Sequence, residues 1–353
     1  MYTNQPKKML IMNILDILRK YTDENHRLSQ REIMDILEDE YVMKIDRKSV
    51  KRNIMNLIDF GYDIEYSEQP RTFKDKDGNP YENIVLSDFY LNREFTDSEL
   101  RLLIDSVLFS NHIPYKQDKQ LVEKLEGLSN TYFKSRVDHI ARMPEDKTDN
   151  KQLFYNIELL DEAISKGRKI SFYYAEYLTD KKLHKRKRSD GTDRLYIINP
   201  YQLVAKEGKY YLICNYDKSD TIANYRVDRI IDIKILDEPV KPFESLKGSN
   251  SRRLNIKEYM KQHVYMFSSE VIRAEFVIEK FLISDVIDLF GKDVKFSDET
   301  DTHVTVTATV DRMAMEHFAR NFVPYVVVKS PQTLVNQVKA DLEKALSQYR
   351  NNS

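Results

Sequence analysis

The segment NYRVDRI, residues 224–230, decides how the second half of this chain is interpreted. It places Arg226 and Arg229 three positions apart, and the continuation IIDIKIL alternates apolar with charged side chains, as a strand does. Extending that alternation backwards puts Arg229 on the buried face of the strand and Arg226 on the opposite face. Because an unpaired guanidinium is costly to bury, we expect Arg229 to have a specific anionic partner.

Short strand-like runs surround this segment, and turn sequences such as SDGTD and DKSD separate them. The five runs are residues 169–178, 182–189, 194–207, 209–216 and 221–236. Five short, closely spaced strands predict a small closed β-barrel, which leaves few strand edges exposed.

Tyrosines and arginines recur at set places in these strands, notably in GKYYLI and NYRVDRI. Together they resemble the WYL domain, an Sm-like or SH3-like β-barrel named after its Trp-Tyr-Leu signature. The matching positions are Tyr174, Pro200, Tyr210, Tyr211, Leu212, Arg226, Asp228, Arg229 and Ile230. The sequence departs from the family at Tyr210, which replaces the tryptophan, and at Ala223, where relatives often carry a basic residue. We therefore expect a less basic pocket than is usual in the family.

The resemblance implies a ligand site at the arginine motif, since WYL domains are thought to bind nucleic acid or a nucleotide-like effector there. A kink between Arg226 and Arg229 would let both side chains reach one pocket with Tyr174 and Tyr211. Guanidinium groups suit phosphate, and tyrosine rings can stack on bases. The alternative is that Arg229 pairs with Asp228 or another acid and serves only the fold.

A cationic run, KKLHKRKR at residues 181–188, lies in the second strand-like segment. We include Lys185 and Arg188 from this run in the predicted ligand site. The alternative is a solvated edge strand, whose charges discourage pairing with another sheet.

The N-terminal region combines three helical patterns with a hairpin pattern. The first helix has an apolar stripe over residues 10–18, the second opens with a capping box at Ser29, and the third runs from Asp46 to a stop at Gly61. Strand-like YDIEYS and NIVLSDFY then flank the turn-rich KDKDGNPY. This order predicts a winged helix-turn-helix over residues 1–92.

Residues predicted to contact DNA lie on the basic face of the third helix and on the first hairpin strand. They are Arg47, Lys48, Ser49, Lys51, Arg52 and Asn56 on the helix, and Arg71 and Lys74 on the hairpin. In this motif the third helix enters the major groove, where its first turns meet phosphates and base edges. The alternative is a solvated helix face.

The remaining regions complete a multidomain α+β architecture. A helical connector is predicted over 93–166, and its apolar stripes could bury against their own domain or against a second subunit. The connector contains a polar linker at 141–151. The barrel is assigned to 167–245. Residues 265–353 show the order βαββαβ of a ferredoxin-like module, followed by a final helix after Ser330 and Pro331. WYL regulators often end in a comparable extension.

Composition narrows the possible functions. The 56 Lys and Arg against 57 Asp and Glu leave a net charge of −1, so any DNA contact must rest on a local basic patch. The single cysteine, Cys214, excludes an intramolecular disulfide and a cysteine-rich zinc site. We see neither a signal peptide nor an apolar run of roughly 20 residues, which predicts a cytoplasmic protein without membrane contact.

The sequence lacks recognisable catalytic motifs. It has no glycine-rich phosphate loop, no HExxH and no nucleophile elbow, and its histidines are scattered without ligand-like spacing. We therefore expect no enzymatic activity, no cofactor and no metal site.

These patterns and the resemblance predict a bacterial transcriptional regulator that binds a specific DNA sequence, acts as a repressor and senses an anionic effector through its WYL domain. A homodimer on double-stranded DNA with two-fold symmetry is expected. The main alternative is an accessory protein that binds single-stranded nucleic acid and modulates another machine.

Overall fold

The chain folds into helices and several separate sheets, which confirms the mixed α+β class. The computed structural model describes residues 6–74, 77–108, 110, 113–133, 150, 152–246 and 253–351. Two compact units are present, Met1–Thr148 and Asp149–Ser353. The division falls inside the predicted linker 141–151, of which residue 150 alone is described. Within the described ranges no helix has both the length and the apolar character needed to cross a membrane.

The first unit opens with three helices and a two-stranded antiparallel hairpin, in the predicted order. Both predicted N-terminal caps are present. Ser29 and Glu32 form a reciprocal capping box at the second helix, and Asp46 accepts the backbone N–H of Ser49 at the third. The elements are α1 (Leu10–Tyr21), α2 (Gln30–Tyr41), α3 (Arg47–Phe60), β1 (Ile64–Lys74) and β2 (Pro80–Leu91).

Apolar side chains from all three helices and both strands form one core in this unit. Phe89 on β2 is fully buried in it, and its backbone pairs with Leu28 just before α2. Two further helices follow, α4 (Asp97–Leu108) and α5 (Tyr115–Glu126). Leu100 and Ile104 of α4 pack against Val122 of α5, so part of the predicted connector stripe is buried within its own unit.

The second unit begins with helix α6 (Leu153–Lys166), which packs against a six-stranded sheet. The sheet order is β4-β3-β5-β6-β7, with β8 paired to β3. Its strands are β3 (Arg168–Tyr177), β4 (Leu183–Lys185), β5 (Leu195–Lys206), β6 (Lys209–Asn215), β7 (Ile222–Arg226) and β8 (Ile230–Pro239).

No closed sheet is formed by these strands, so the predicted closed five-stranded barrel is not confirmed. The last predicted strand is broken by a 3-10 turn at Val227–Arg229 into β7 and β8. Every residue of these two strands is described, and they do not pair with each other. The physical reason is the turn itself, which redirects the chain from β6 to β3.

The C-terminal part of the second unit has the predicted βαββαβ order. Its antiparallel sheet runs β10-β11-β9-β12, and one face packs on the helices through Phe276 and Phe318. Its elements are α7 (Ile256–Gln262), β9 (Val271–Glu279), α8 (Ile283–Phe290), β10 (Lys295–Ser297), β11 (His303–Asp311), α9 (Arg312–Asn321), β12 (Val326–Ser330) and α10 (Gln332–Asn351).

A buried carboxylate joins several of these elements. Asp311 caps α9 by accepting the N–H of Ala314 at 3.0 Å, and it accepts the N–H of Ser269 at 2.7 Å. His263 Nδ1 lies 3.4 Å from the same carboxylate. Burial raises the pKa of Asp311, but the hydrogen bonds from His263, Ser269 and Ala314 outweigh it and hold that pKa below its ordinary value.

Replacing Asp311 with alanine is expected to lower the free energy of unfolding of the second unit by about 2–4 kcal/mol, because the cap is lost and buried donors are left unpaired. Urea denaturation followed by circular dichroism measures this loss. Since the pKa is depressed in the folded state, the contribution is complete above a pH of about 4, the ordinary pKa of aspartate, and is lost as the pH falls. Asp288→Ala, at an exposed position of α8, is the control. Equal stability of the Asp311 and Asp288 variants would contradict the expectation.

Candidate functional site

Three cationic side chains on α3 are free to meet a ligand. Lys48, Lys51 and Arg52 are exposed, and none forms an ion pair with any residue in the described ranges. Asp46 holds the start of the helix by bonding both the N–H and the hydroxyl of Ser49. The first turns of α3 therefore present unneutralised positive charge on a fixed helix.

Two other predicted DNA contacts have structural partners. Arg47 Nε donates to Gln30 Oε1 at 2.7 Å, and Gln30 in turn donates to the carbonyl of Leu86 at 3.0 Å. The Ser49 hydroxyl donates to Asp46 at 2.7 Å. Arg47 is therefore tethered to the hairpin, and Ser49 serves the cap. Sequence reasoning missed Gln30, whose partners are distant along the chain.

The last three residues predicted to contact DNA are exposed and belong to two different elements. Asn56 is one turn beyond Arg52 on α3, whereas Arg71 and Lys74 belong to β1 near the tip of the hairpin. Arg71 makes a single long contact to Gln69 Oε1, at 3.5 Å. In the described part of the first unit, no hydrogen bond or ion pair links the hairpin pair to α3.

The arginine motif lies on the turn between β7 and β8. The predicted kink is present, with Arg226 ending β7 and Arg229 ending the turn. Because Arg229 does not belong to a strand, strand alternation does not determine where it points. The prediction that it lies on the buried face of a continuous strand was therefore wrong. Val227 and Asp228 are the buried residues of the turn.

Arg226 holds the carboxylate of this turn. Its Nε and terminal nitrogen donate to the two oxygens of Asp228 at 3.1 Å and 2.7 Å, a bidentate pair in which Asp228 is almost fully buried. Burial lowers the pKa of Arg226, but the hydrogen bonds to Asp228 outweigh it and raise that pKa above its ordinary value. The ion pair considered from the sequence, Arg229 with Asp228, is thus replaced by Arg226 with Asp228.

Arg229 has no such partner. Its Nε is buried without a hydrogen bond, and its guanidinium forms no ion pair among the described residues. The charge of Arg229 acts on the hydroxyl groups of two tyrosines. Burial raises the pKa of Tyr174 and of Tyr211, while the charges of Arg226 and Arg229 act in the opposite direction on both hydroxyls.

Backbone pairing completes this group. The Arg226 N–H donates to the Tyr174 hydroxyl at 3.2 Å, and Tyr211 lies opposite Arg226 on β6. The four residues predicted for the core of the ligand site, Tyr174, Tyr211, Arg226 and Arg229, are therefore brought together. We call them the arginine cluster.

The cationic run contributes differently from the prediction. Lys185 Nζ bonds Asp232 at 2.7 Å and lies 4.0 Å from the centre of the Tyr173 ring, and Arg188 is exposed at a turn. In the described ranges no contact joins either residue to the arginine cluster. Two other arginines instead lie over tyrosine rings: Arg186, which belongs to the cationic run but was not placed in the predicted site, and Arg194, which the sequence prediction missed.

The tyrosine rings under these arginines belong to a larger aromatic group. The Arg186 guanidinium carbon lies 5.1 Å from the centre of the Tyr174 ring, and that of Arg194 lies 4.8 Å from the centre of the Tyr196 ring. The whole group consists of Phe172, Tyr174, Tyr196, Tyr216 and Tyr225. The aromatic residues Phe172 and Tyr174 at alternate positions of β3 were the sequence signal for it.

Comparison with known proteins agrees with the arginine motif and its tyrosines. Residues 155–235, from α6 to β8, match the family model of the WYL domain. This segment is therefore similar to the WYL domain. No curated protein matches the chain. No group of three or more His, Cys, Asp or Glu able to hold a metal ion occurs among the described residues.

Two solved structures are similar over most of this chain. The proteasome accessory factor B/C (PafBC) of Arthrobacter aurescens is 12% identical, with 98% of this chain and 49% of that chain covered and a TM-score of 0.26. A CRISPR Cas-related protein is 14% identical, with 100% of this chain and 88% of that chain covered and a TM-score of 0.35. The chain thus spans about half the length of PafBC. Both TM-scores are low, so neither likeness bears on function.

Proposed function

We propose that the protein is a DNA-binding transcriptional regulator of bacterial type, acting as a repressor in the cytoplasm without enzymatic activity. The observation that carries this proposal is the free positive charge of Lys48, Lys51 and Arg52 on one face of α3. Such charge supplies binding energy on DNA, because each phosphate contact releases a condensed counterion. A third helix followed by a hairpin is the arrangement of winged helix-turn-helix proteins, in which that helix reads the major groove.

The contacts within the first unit suggest different roles for its basic residues. Lys48 and Arg52, one turn apart, are placed to contact phosphates or base edges. Arg47 is held by Gln30, which reduces the side-chain freedom it would lose on binding. Arg71 and Lys74 on the hairpin would contact the DNA backbone beside the groove.

The second part of the proposal is that the WYL domain senses an anionic ligand, either a nucleotide-like molecule or nucleic acid. Arg229 supports this part because its partly buried guanidinium, with Nε buried and without a hydrogen bond, forms no ion pair among the described residues, which is costly unless a ligand supplies a partner. Asp228 already neutralises Arg226. A phosphate would therefore meet Arg229 first, with Tyr174 and Tyr211 beside it.

Selection from a random duplex library tests the DNA-binding part. The full chain should enrich one sequence motif, with two half-sites related by a two-fold axis if the protein binds as a dimer. Recovery of unrelated sequences after repeated rounds would count against a sequence-specific regulator.

A second candidate function is binding of single-stranded nucleic acid as an accessory to another machine. The aromatic group under Arg186 and Arg194 favours it, because bases stack on aromatic rings without regard to sequence. Equal affinity for several unrelated single strands, together with no duplex preference, would select this candidate over the first.

Dimerisation is expected because large apolar side chains remain exposed on α4 and α10. Leu102 is 67% exposed, Leu346 is 51% exposed and Tyr349 is 78% exposed. Light scattering at micromolar concentration should give about twice the chain mass of 41.9 kDa. Leu346→Glu should shift the mass towards the monomer, whereas Lys344→Glu is the neighbouring control. A strict monomer that binds an asymmetric DNA site would contradict this expectation.

A further inference from the structure

A cavity of about 570 Å³ opens in the second unit where β7, α7 and the start of β9 meet. Its apolar lining includes Ile222, Phe243 and Leu254, and its aromatic lining includes Tyr259 and His263. Arg226, Arg229, Tyr174 and Tyr211 do not line it, so the cavity is separate from the arginine cluster. Cavities of this size with mostly apolar walls and a few polar atoms are typical of small-molecule sites.

His263 is one of the polar residues that line this cavity. The residue is only 6% exposed, and its ring stacks on Tyr259 with 4.0 Å between the ring centres. Nδ1 donates to the carbonyl of Phe267 at 2.8 Å and lies 3.4 Å from Asp311. Nε2 makes no hydrogen bond to any residue that the structure describes. With Nδ1 as the donor, Nε2 is the hydrogen-bond acceptor of the neutral tautomer, and it belongs to a residue of the cavity lining.

The charges around the cavity disfavour an anion. Among the described residues of its lining, Asp220, Glu258 and Glu270 are acidic and Arg253 alone is basic. Asp220 is paired with Lys241 at 2.8 Å, and Glu270 with Arg312 at 3.0 Å. Arg253 has an interaction partner of its own, whereas Glu258 is exposed and forms no ion pair with any described residue. A neutral or cationic ligand is therefore favoured, the opposite of the phosphate expected at the arginine cluster.

Strand β7 connects the cavity to the arginine cluster. Asn224, two residues before Arg226, bonds the Tyr259 hydroxyl at 3.0 Å through its side-chain oxygen. Its backbone N–H donates to the Ser268 hydroxyl at 3.0 Å, and its side-chain nitrogen donates to the carbonyl of Met266 at 3.1 Å. A ligand that moves Tyr259 would therefore pull on the strand that ends at Arg226.

We propose that this cavity is a second ligand site of the protein, for a small aromatic compound that is neutral or singly cationic and carries a hydrogen-bond donor. The donor binds His263 Nε2, and the ring packs on Phe243 and Leu254. Occupancy changes the anion affinity of the arginine cluster through Asn224, a coupling that rests on the proposed sensing function. Binding in the cavity does not depend on that function.

Three probes that share one ring and differ in charge test the site on the full chain. Tyramine is cationic, 4-hydroxybenzamide is neutral and 4-hydroxybenzoate is anionic. Ligand-observed NMR and calorimetry should give Kd values of about 0.1–1 mM for the first two, and binding at least tenfold weaker for the benzoate. Absence of tyramine and benzamide binding at millimolar concentration, or equal binding of the benzoate, would overturn the proposal.

Two variants of cavity residues test whether the probes bind in the cavity. His263→Ala should weaken tyramine binding at least tenfold, whereas His184→Ala, at a histidine bonded to Asp180 outside the cavity lining, should leave it unchanged. Because His263→Ala also disturbs the Asp311 contacts, Val271→Trp at the exposed rim provides a second block that leaves His263 in place. Unchanged tyramine binding in both cavity variants would overturn the assignment.

The coupling is measured separately with pyrophosphate as the probe of the arginine cluster. Saturating tyramine should change the Kd of pyrophosphate by at least threefold, and Asn224→Ala should abolish that change. An identical pyrophosphate Kd with and without tyramine would overturn the coupling. If pyrophosphate does not bind at all, the proposed sensing function fails, and the tyramine titration still decides whether the cavity is a site.

Discussion

Alanine at both Lys48 and Arg52 is expected to weaken binding to the specific duplex more than any other pair of changes in the first unit. Affinity falls as salt rises, so the plot of log affinity against log salt concentration has a negative slope. Each lost phosphate contact should reduce the magnitude of that slope by about 1, and two lost contacts should reduce it by about 2. If one side chain reads a base instead, specificity should relax at one position of the site. Fluorescence anisotropy over a salt series measures both quantities.

A matched control separates this effect from overall charge. Lys339 and Lys344 are exposed on α10 in the second unit, and replacing both with alanine removes the same two charges. That variant should bind the duplex as the wild type does. The assignment of α3 fails if the Lys48 and Arg52 variant keeps its affinity and slope, or if the control loses as much.

The second large effect is expected at Arg229. Its replacement with alanine should reduce pyrophosphate binding at least tenfold while the fold survives, because no buried carboxylate loses a partner. Arg226→Ala should behave differently, since it strands the buried Asp228 and is expected to destabilise the second unit by about 3–5 kcal/mol. From the sequence alone the opposite ranking follows, with Arg229 as the structurally risky position.

Asp228→Asn sharpens the test of the arginine cluster. Removing the carboxylate that neutralises Arg226 should increase pyrophosphate affinity several-fold, because both guanidinium groups then become available. Calorimetry gives the affinities, and circular dichroism confirms the fold of each variant. Arg273→Ala, at an exposed position on β9, is the charge control. Pyrophosphate binding that is indifferent to Arg229 and to Asp228 would show that the motif is purely structural.

Local features of the fold could be predicted from the sequence. The caps at Ser29 and Asp46 involve residues three apart, and the βαββαβ order follows from apolar periodicity. The kink between Arg226 and Arg229 was expected from the family resemblance, whereas apolar alternation gave no sign of it because the alternation continues beyond the turn at Val227–Arg229. Because the chain passes from β7 to β8 through that turn without pairing them, the predicted closed barrel is not confirmed.

Contacts between residues that are far apart along the chain could not be predicted from the sequence. The Gln30 side chain donates a hydrogen bond to the carbonyl of Leu86, and the His263 ring lies next to the Asp311 carboxylate, because the fold brings these separate elements together. Asp228 pairs with Arg226 and not, as considered from the sequence, with Arg229, and this choice of partner depends on the backbone conformation of one turn. Such contacts determine which of the predicted site residues remain free for a ligand. The residues of the site could therefore be identified only from the structure.

The most direct test of a sequence-specific DNA reader compares two duplexes of equal length and composition at one salt concentration. One carries the motif recovered by selection, and the other carries the same bases in scrambled order. The full chain is expected to bind the first duplex about a thousandfold or more tightly than the second, as specific regulators do over non-specific DNA. Equal affinity for the two duplexes would contradict it.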